Sequence, residues 1–250
     1  MWEEMGKILG VTNNKRPPGG ENVMTTKLGE SLPVERKGGN QLQMPTKPSD
    51  ILKLCDKEGI RFLRLQFTDI LGIIKNVEVP RSQFEKALFG EIQFDGSSIE
   101  GFTRIEESDM GLVPDLETFR VFPWSHTNGK VARLVCDVIE PDGKPFPGCP
   151  RQALKRQMEK AKALGYTLMT GPEAEFFLFR RDANGDPIVD THDQGGYFDL
   201  TPVDRGEEAR RDIVVALEAM GFEVEAAHHE VVTGWHQRRW WAQRCANSRI

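Results

Sequence analysis

Gly171-Pro172-Glu173-Ala174-Glu175-Phe176-Phe177-Leu178-Phe179 is the stretch on which the fold of this chain turns. Gly171 and Pro172 punctuate the chain, and the residues from Glu173 to Phe179 read as a strand. With the two-residue repeat of a strand, Glu173 and Glu175 fall on one face and Ala174, Phe176 and Leu178 on the other. Two carboxylates side by side in so apolar a strand repel each other, and burying them is costly unless a positive group lies between them. A hard divalent cation relieves both problems, because Mg2+ and Mn2+ prefer carboxylate oxygen. An edge strand with a solvated acidic face accounts for the same pattern.

Outward from that strand, helix and strand alternate. Upstream, Thr167–Thr170 reads as a short strand, and Arg151–Leu164 as an amphipathic helix whose stripe is Ala153, Leu154, Met158, Ala161 and Leu164, closed by Gly165. Downstream, ANGDP is a turn, Arg205–Met220 a second helix, and Phe222–Glu225 a strand after Gly221. His228-His229-Glu230 then places imidazole and carboxylate at a strand end, where ligands of a cation or contacts to a phosphate are often built. A histidine doublet in a surface loop is the plainer reading of the same residues.

PDGKPFPGCP, rich in Pro and Gly, separates these elements from an earlier unit. There, Ser49 is placed to cap a short helix carrying Ile51, Leu52, Leu54 and Cys55, stopped by Gly59. Ile60–Phe67 and Ile73–Val79 read as strands joined through TDILG, Ser82 and Glu85 have capping-box spacing before a helix ending at Gly90, and Val131–Ile139 reads as a further strand. The pattern predicts a small α+β unit, a helix on a mixed sheet.

Between them, Phe94-Asp95-Gly96-Ser97-Ser98-Ile99-Glu100-Gly101-Phe102 holds too many small polar residues to be a packing element. Its glycines permit tight turns, and Asp95, Ser97 and Ser98 supply hydrogen-bonding groups, as in functional loops. The acidic run Glu106, Glu107, Asp109 and Asp115 follows, and a solvated loop accounts for it equally well.

The two ends do not match this body. Residues 1–44 have 6 Lys+Arg against 5 Asp+Glu and no sustained apolar period, which predicts a disordered extension over 1–45. Met44 is a candidate start of the patterned chain. Residues 45–230 carry 23 basic against 33 acidic side chains, a poor match to the phosphates of nucleic acid. The last twenty residues carry 4 arginines and no acid, with Trp235, Trp240 and Trp241. That stretch is expected to be an off-pattern tail over 233–250, of the kind a frame change leaves; binding of single strands or of a membrane surface is its alternative. The 4 cysteines, Cys55, Cys136, Cys149 and Cys245, form no CxxC pair and are too sparse for a disulfide framework. No apolar run approaches the roughly 20 residues of a membrane span. A cytoplasmic location is expected, with neither membrane nor nucleic acid as partner. There is no GxxxxGK[ST], GxGxxG or nucleophile-elbow motif.

FTDILG, FDGSSIEGF, RIEESDM and GPEAEFFLF, with HHEV beyond them, together resemble glutamine synthetase of the bacterial class-I, Bacillus-like type, in order over about residues 46–232. DGSSI with ESDM and GPE-x-EFF is a highly specific combination. The resemblance implies an α+β protein with a β-grasp domain over 46–146 and an incomplete catalytic domain over 147–232. It implies ATP-dependent ligation of glutamate and ammonia through γ-glutamyl phosphate, with Mg2+ or Mn2+. Glutamate, ammonium and ATP are the implied small-molecule partners, and a double-ring homododecamer the implied assembly. By motif, Glu173 resembles a ligand of the nucleotide-side metal, and Glu175 and Glu230 ligands of the glutamate-side metal. Asp95 resembles the carboxylate lent to a neighbouring subunit's site to bind and deprotonate ammonium, with Ser98 in the same loop and Asp109 in support. Arg104 matches an arginine tied to glutamine feedback.

The departures from the family pattern lie at the end. Where the family continues with a Gly-Gln-x-Glu type stretch, this chain reads Trp235-His236-Gln237, without the acid. Most of the ATP site and the substrate-binding arginines of the family are not matched. The expectation is therefore a truncated synthetase, inactive as the isolated chain, because an incomplete site cannot set up the reacting geometry. A catalytically dead fragment that binds and regulates full-length subunits is the rival reading.

Overall fold

The computed structural model describes residues 45–102, 109–124, 127–168 and 170–241, with 235–241 described by backbone path and register alone. The order is α1 (Pro48–Glu58), β1 (Ile60–Thr68), β2 (Ile74–Pro80), α2 (Phe84–Leu88), β3 (Ile92–Asp95), β4 (Asp109–Val121), β5 (Lys130–Ile139), α3 (Pro150–Ala163), β6 (Glu173–Phe177), β7 (Phe179–Arg181), β8 (Pro187–Thr191), α4 (Glu207–Ala219), β9 (Glu223–His229) and β10 (Trp235–Trp241). The content is α+β, as the sequence pattern predicts.

The first unit is a mixed five-stranded sheet in the order β2-β1-β5-β4-β3. Its centre is the parallel pair β1–β5, with every other neighbour antiparallel. One face is covered by the two short helices. Ile51 and Cys55 of α1 and Phe84 and Ala87 of α2 pack on Leu63 and Leu65 of β1, Leu112 of β4 and Leu134 and Val138 of β5. Full burial of each large apolar side chain contributes about 1.5–3 kcal/mol. The alternation of Leu63, Leu65 and Phe67 with Arg64 and Gln66 puts the apolar set into this core.

Both expected helix caps are corrected. Helix α1 starts at Pro48, whose missing N–H costs nothing at a first helical position, and Lys47 precedes it without a side-chain cap. The Ser82/Glu85 box does not form: Arg81–Gln83 is a 3-10 turn leading straight into α2. Strand β4 was hidden from the pattern by Gly111, Pro114 and a long bulge, across which the register jumps from Asp115↔Val135 to Arg120↔Arg133. Thr118 repairs the ladder there. Its Oγ1 accepts the Val135 N–H at 2.8 Å and donates to the Asp115 carbonyl at 2.6 Å.

The other face of the sheet meets the later elements. Phe122 and Val131, with Phe62, pack against Met220 and Phe222 at the end of α4. Helix α3 is held by charge: Arg151 bridges Asp115 at 2.7 Å and Asp137 at 2.8 Å, and Lys155 also pairs with Asp137. The apolar stripe read along this helix is not buried among the described residues, and Leu154 and Leu164 are exposed. The expected strand at 167–170 is not formed at Thr167 and Leu168.

The second unit carries a three-stranded antiparallel sheet, β6-β10-β9, and the hairpin β7–β8. The described start of the presumed tail is the central strand of that sheet. Backbone groups make a strand ladder, so a central strand can form from residues whose side-chain order shows no period. Tryptophan also favours strands. Residues 1–44 and 242–250 lie outside the described residues.

Candidate functional site

Asp95 ends β3 and starts the DGSS turn. Its Oδ1 accepts the Ser97 N–H at 2.9 Å and the Ser97 hydroxyl at 2.6 Å, while Oδ2 accepts the Ser98 hydroxyl at 3.3 Å. The Ser97 hydroxyl and N–H are the main cause that holds the Asp95 carboxyl below the usual carboxylate range. It is an exposed anion held in one orientation. Asp109, the first residue of β4, is its cross-strand partner in the register, so the structure brings two of the expected residues to one sheet edge. Gly101 closes the loop with φ +76°, and a Cβ there would lie 2.2 Å from Ile70 Cδ1, so the loop folds against the β1–β2 turn only as glycine. Arg104 lies outside the described residues.

The carboxylates of the second unit are placed by register. Glu175 and His228 both face Gln237 of β10, from its two sides, and Glu173 faces Arg239. Opposite residues of antiparallel strands share a face, so Glu173, Glu175 and His228 lie on the same one, with the β6 and β9 backbones about 10 Å apart. Glu230 is two residues beyond His228. It is nearly buried, accepts the Val231 N–H at 3.1 Å, and has His228 Nε2 at 3.7 Å from its Oε1. The intervening strand, Trp235–Trp241, contributes no acid. By donor chemistry, three carboxylates with an imidazole beside them fit a hard divalent cation. They form an open face rather than a closed cage: among the described residues, no group of three or more ligand side chains with atoms within 4.8 Å of one another includes Glu173, Glu175, Glu230, Asp95 or Asp109.

The tight group is a different one, and the sequence reading missed it. Asp193, Asp204 and His229 are buried, with ligand atoms within 4.8 Å of one another. Their lone pairs are already committed. Asp204 accepts the Gly206 N–H at 2.8 Å and pairs with the Arg210 guanidinium. Asp193 accepts from Gly195, Gly234 and Arg205 N–H groups and from His229 Nε2. Burial would raise the Asp193 carboxyl, but those donors outweigh it and hold the group at about 2. Burial also works against ionised Asp204, and there Arg210 prevails and holds it low. The arrangement is an ion-pair network that anchors the loop 192–206. The signal that would have found it is His192-Asp193-Gln194-Gly195-Gly196, an acid among small residues like the DGSS loop.

The chain thus has a β-grasp sheet with an anionic loop at its edge, followed by an α+β unit with an acidic sheet face. Residues 59–141 match the family model "Glutamine synthetase, beta-Grasp domain", and residues 147–238 match "Glutamine synthetase, catalytic domain". The chain belongs to the glutamine synthetase family. Glutamine synthetase of Thermus thermophilus is 64% identical over 193 residues, covering 76% of this chain and 43% of the relative. That of Staphylococcus aureus is 60% identical over 189 residues, covering 75% of this chain and 42% of the relative. The chain therefore spans less than half the length of these relatives. Among solved structures, a GmaS–ADP complex superposes with TM-score 0.68 at 26% identity, covering 78% of this chain and 44% of that one. A Plasmodium falciparum glutamine synthetase shares the fold, with TM-score 0.64 at 21% identity over 78% of this chain and 44% of that one. The catalytic-domain match runs to residue 238, past Val232, where the motif resemblance stops.

Proposed function

We propose that these residues serve ATP-dependent ligation of glutamate and ammonia, and that the chain supplies two parts of that site. The observation that carries the reading is the shared face of Glu173, Glu175 and His228, with Glu230 at the same strand end, in a chain 64% identical to a glutamine synthetase. Glu173 holds a nucleotide-side Mg2+ or Mn2+, and Glu175 and Glu230 hold a glutamate-side one. When bound, such ions neutralise the phosphoryl oxygens of ATP and the substrate γ-carboxylate. Asp95 acts at an ammonium ion: its fixed negative charge binds NH4+, and it accepts the proton that must leave before nitrogen can attack an acyl phosphate. Ser97 and Ser98 keep that carboxylate anionic and aimed, and Asp109 adds negative charge at the same sheet edge. The loop sits at the sheet edge, exposed, which suits action at a neighbouring subunit of a homo-oligomer. Feedback through Arg104 and a cytoplasmic setting belong to the same reading.

The 250-residue chain alone is expected to hold a cation without completing the reaction, since its central strand brings no acid to the face. The test is phosphate release from ATP that depends on both glutamate and ammonium. Release at the blank rate is expected. Release above blank that Glu175→Ala abolishes would show that the chain is a complete catalyst.

A further inference from the structure

Asp193 stands at a junction of four chain segments, with its side chain fully buried. Oδ1 accepts the N–H of Gly195 at 3.3 Å from its own loop and that of Gly234 at 3.1 Å from the approach to β10. The same oxygen lies 3.1 Å from Nε2 of His229, the last residue of β9. Oδ2 accepts the Arg205 N–H at 3.0 Å, from the far end of the loop. The other ring nitrogen of His229, Nδ1, is 2.7 Å from the carbonyl oxygen of Glu230. A carbonyl only accepts, so Nδ1 carries a hydrogen and donates it. The imidazole is thus a rigid strut from Asp193 to the peptide of Glu230. The fit around the ring is close: a Cβ on Gly195 would stand 2.8 Å from His229 Nε2. The His229 carbonyl in turn accepts the Phe198 N–H at 3.1 Å, so the loop grips this strand end from a second side.

We propose that Asp193 is a positioning residue for the cation-holding end of β9, acting through His229 to fix the peptide and hence the carboxylate of Glu230. The proposal rests on the reading of Glu230 as a cation ligand. The Glu230 carboxylate has His228 Nε2 at 3.7 Å and accepts from the next peptide, Val231, and that peptide follows the Glu230 carbonyl that His229 holds. Groups behind a ligand that set its orientation typically change metal affinity about 10–100-fold when removed. Asp204 is the internal control. It is buried in the same cluster, but its carboxylate accepts the Gly206 N–H and pairs with Arg210, so the hydrogen bonds it makes secure the loop and α4.

The experiment is Mn2+ binding to the full chain, read by the EPR signal of free Mn2+, for the native protein and for Glu230→Gln, Asp193→Asn, His229→Gln and Asp204→Asn, each with its urea midpoint. Glu230→Gln is expected to weaken binding at least tenfold. Asp193→Asn and His229→Gln are expected to weaken it about tenfold or more. Asp204→Asn is expected to lower the urea midpoint and to leave Mn2+ affinity within about threefold, since the bonds of its carboxylate go to Gly206 and Arg210 rather than to the Glu230 peptide. If Glu230→Gln leaves Mn2+ binding unchanged, the cation reading fails and the positioning role with it. If Glu230→Gln weakens binding but Asp193→Asn and Asp204→Asn have equal effects, the cation reading stands and the positioning role is wrong. Should Asp193→Asn not fold, His229→Gln against Asp204→Asn makes the same comparison.

Discussion

Replacing Arg151 by methionine removes the clasp between α3 and the five-stranded sheet. Only 12% of the Arg151 side chain is exposed, and it reaches Asp115 and Asp137, themselves 7% and 14% exposed. Burial disfavours its charge, but the two carboxylates outweigh that and raise the guanidinium above its ordinary value. Breaking a buried pair by removing one partner costs about 3–5 kcal/mol, because a buried charge is left uncompensated. Here Asp137 retains Lys155, and Asp115 retains the Glu117 N–H at 3.3 Å. The expected cost is therefore below that range, about 2–3 kcal/mol. With a urea dependence of about 2 kcal/mol per molar, the unfolding midpoint falls by about 1–1.5 M. Equilibrium urea unfolding followed by tryptophan fluorescence measures it. The triple variant Arg151→Met, Asp115→Asn, Asp137→Asn removes the stranded charges as well and is expected to recover part of the loss. A midpoint shift under about 0.3 M for Arg151→Met, with no recovery in the triple variant, would refute the reasoning and leave α3 docked by other contacts.

Other expectations rest on separate features. Phe84→Ala, at a fully buried ring in the main core, is expected to cost about 3–5 kcal/mol in the same assay. Gly195→Ala forces a methyl group onto His229 and is expected to lower the thermal midpoint, with a cost of about 1–3 kcal/mol. Asp193, held at about 2 against an unfolded value of 3.8, contributes stability that is present above pH 3.8 and lost as pH falls toward 2. Its share is at most about 2.5 kcal/mol before solvent screening reduces it, and acid unfolding of Asp193→Asn is expected to lack that part of the pH dependence. Burial pushes the Cys55 thiol up to about 12 and the Cys136 thiol higher still, so both are expected to resist a thiol reagent at pH 8 until urea unfolds the chain.

How much of this was legible in the sequence depended on how local the cause was. The β1 strand and the end of α1 at Gly59 follow from alternation and one glycine, and both were readable. Strand β4 was not, because its pairing survives Pro114 and the Asp115–Arg120 bulge through Thr118, a contact to a strand 17 residues away in sequence. The placement of Glu173 and Glu175 on one face is a matter of strand period and needed no structure. That His228 shares that face depends on the register of β10, which lies between them and whose residues show no period. The Asp193–His229 strut joins residues 36 apart, and only the folded chain brings them together. The apolar stripe of α3 is legible as a stripe, but burial depends on what covers it, and among the described residues Ala153, Met158 and Ala161 are only half-buried while Leu154 and Leu164 are exposed.

The central claim is that the β6/β9 face binds a divalent cation through Glu175 and its neighbours, and calorimetric titration of the full chain with Mn2+ tests it most directly. The native chain and a Glu159→Gln control, altered at an exposed acid on α3, are expected to show the same saturable binding. Glu175→Gln is expected to weaken it at least tenfold. Binding that does not saturate, or that Glu175→Gln and Glu159→Gln leave equally unchanged, would contradict the account and make the acidic face a solvated sheet surface.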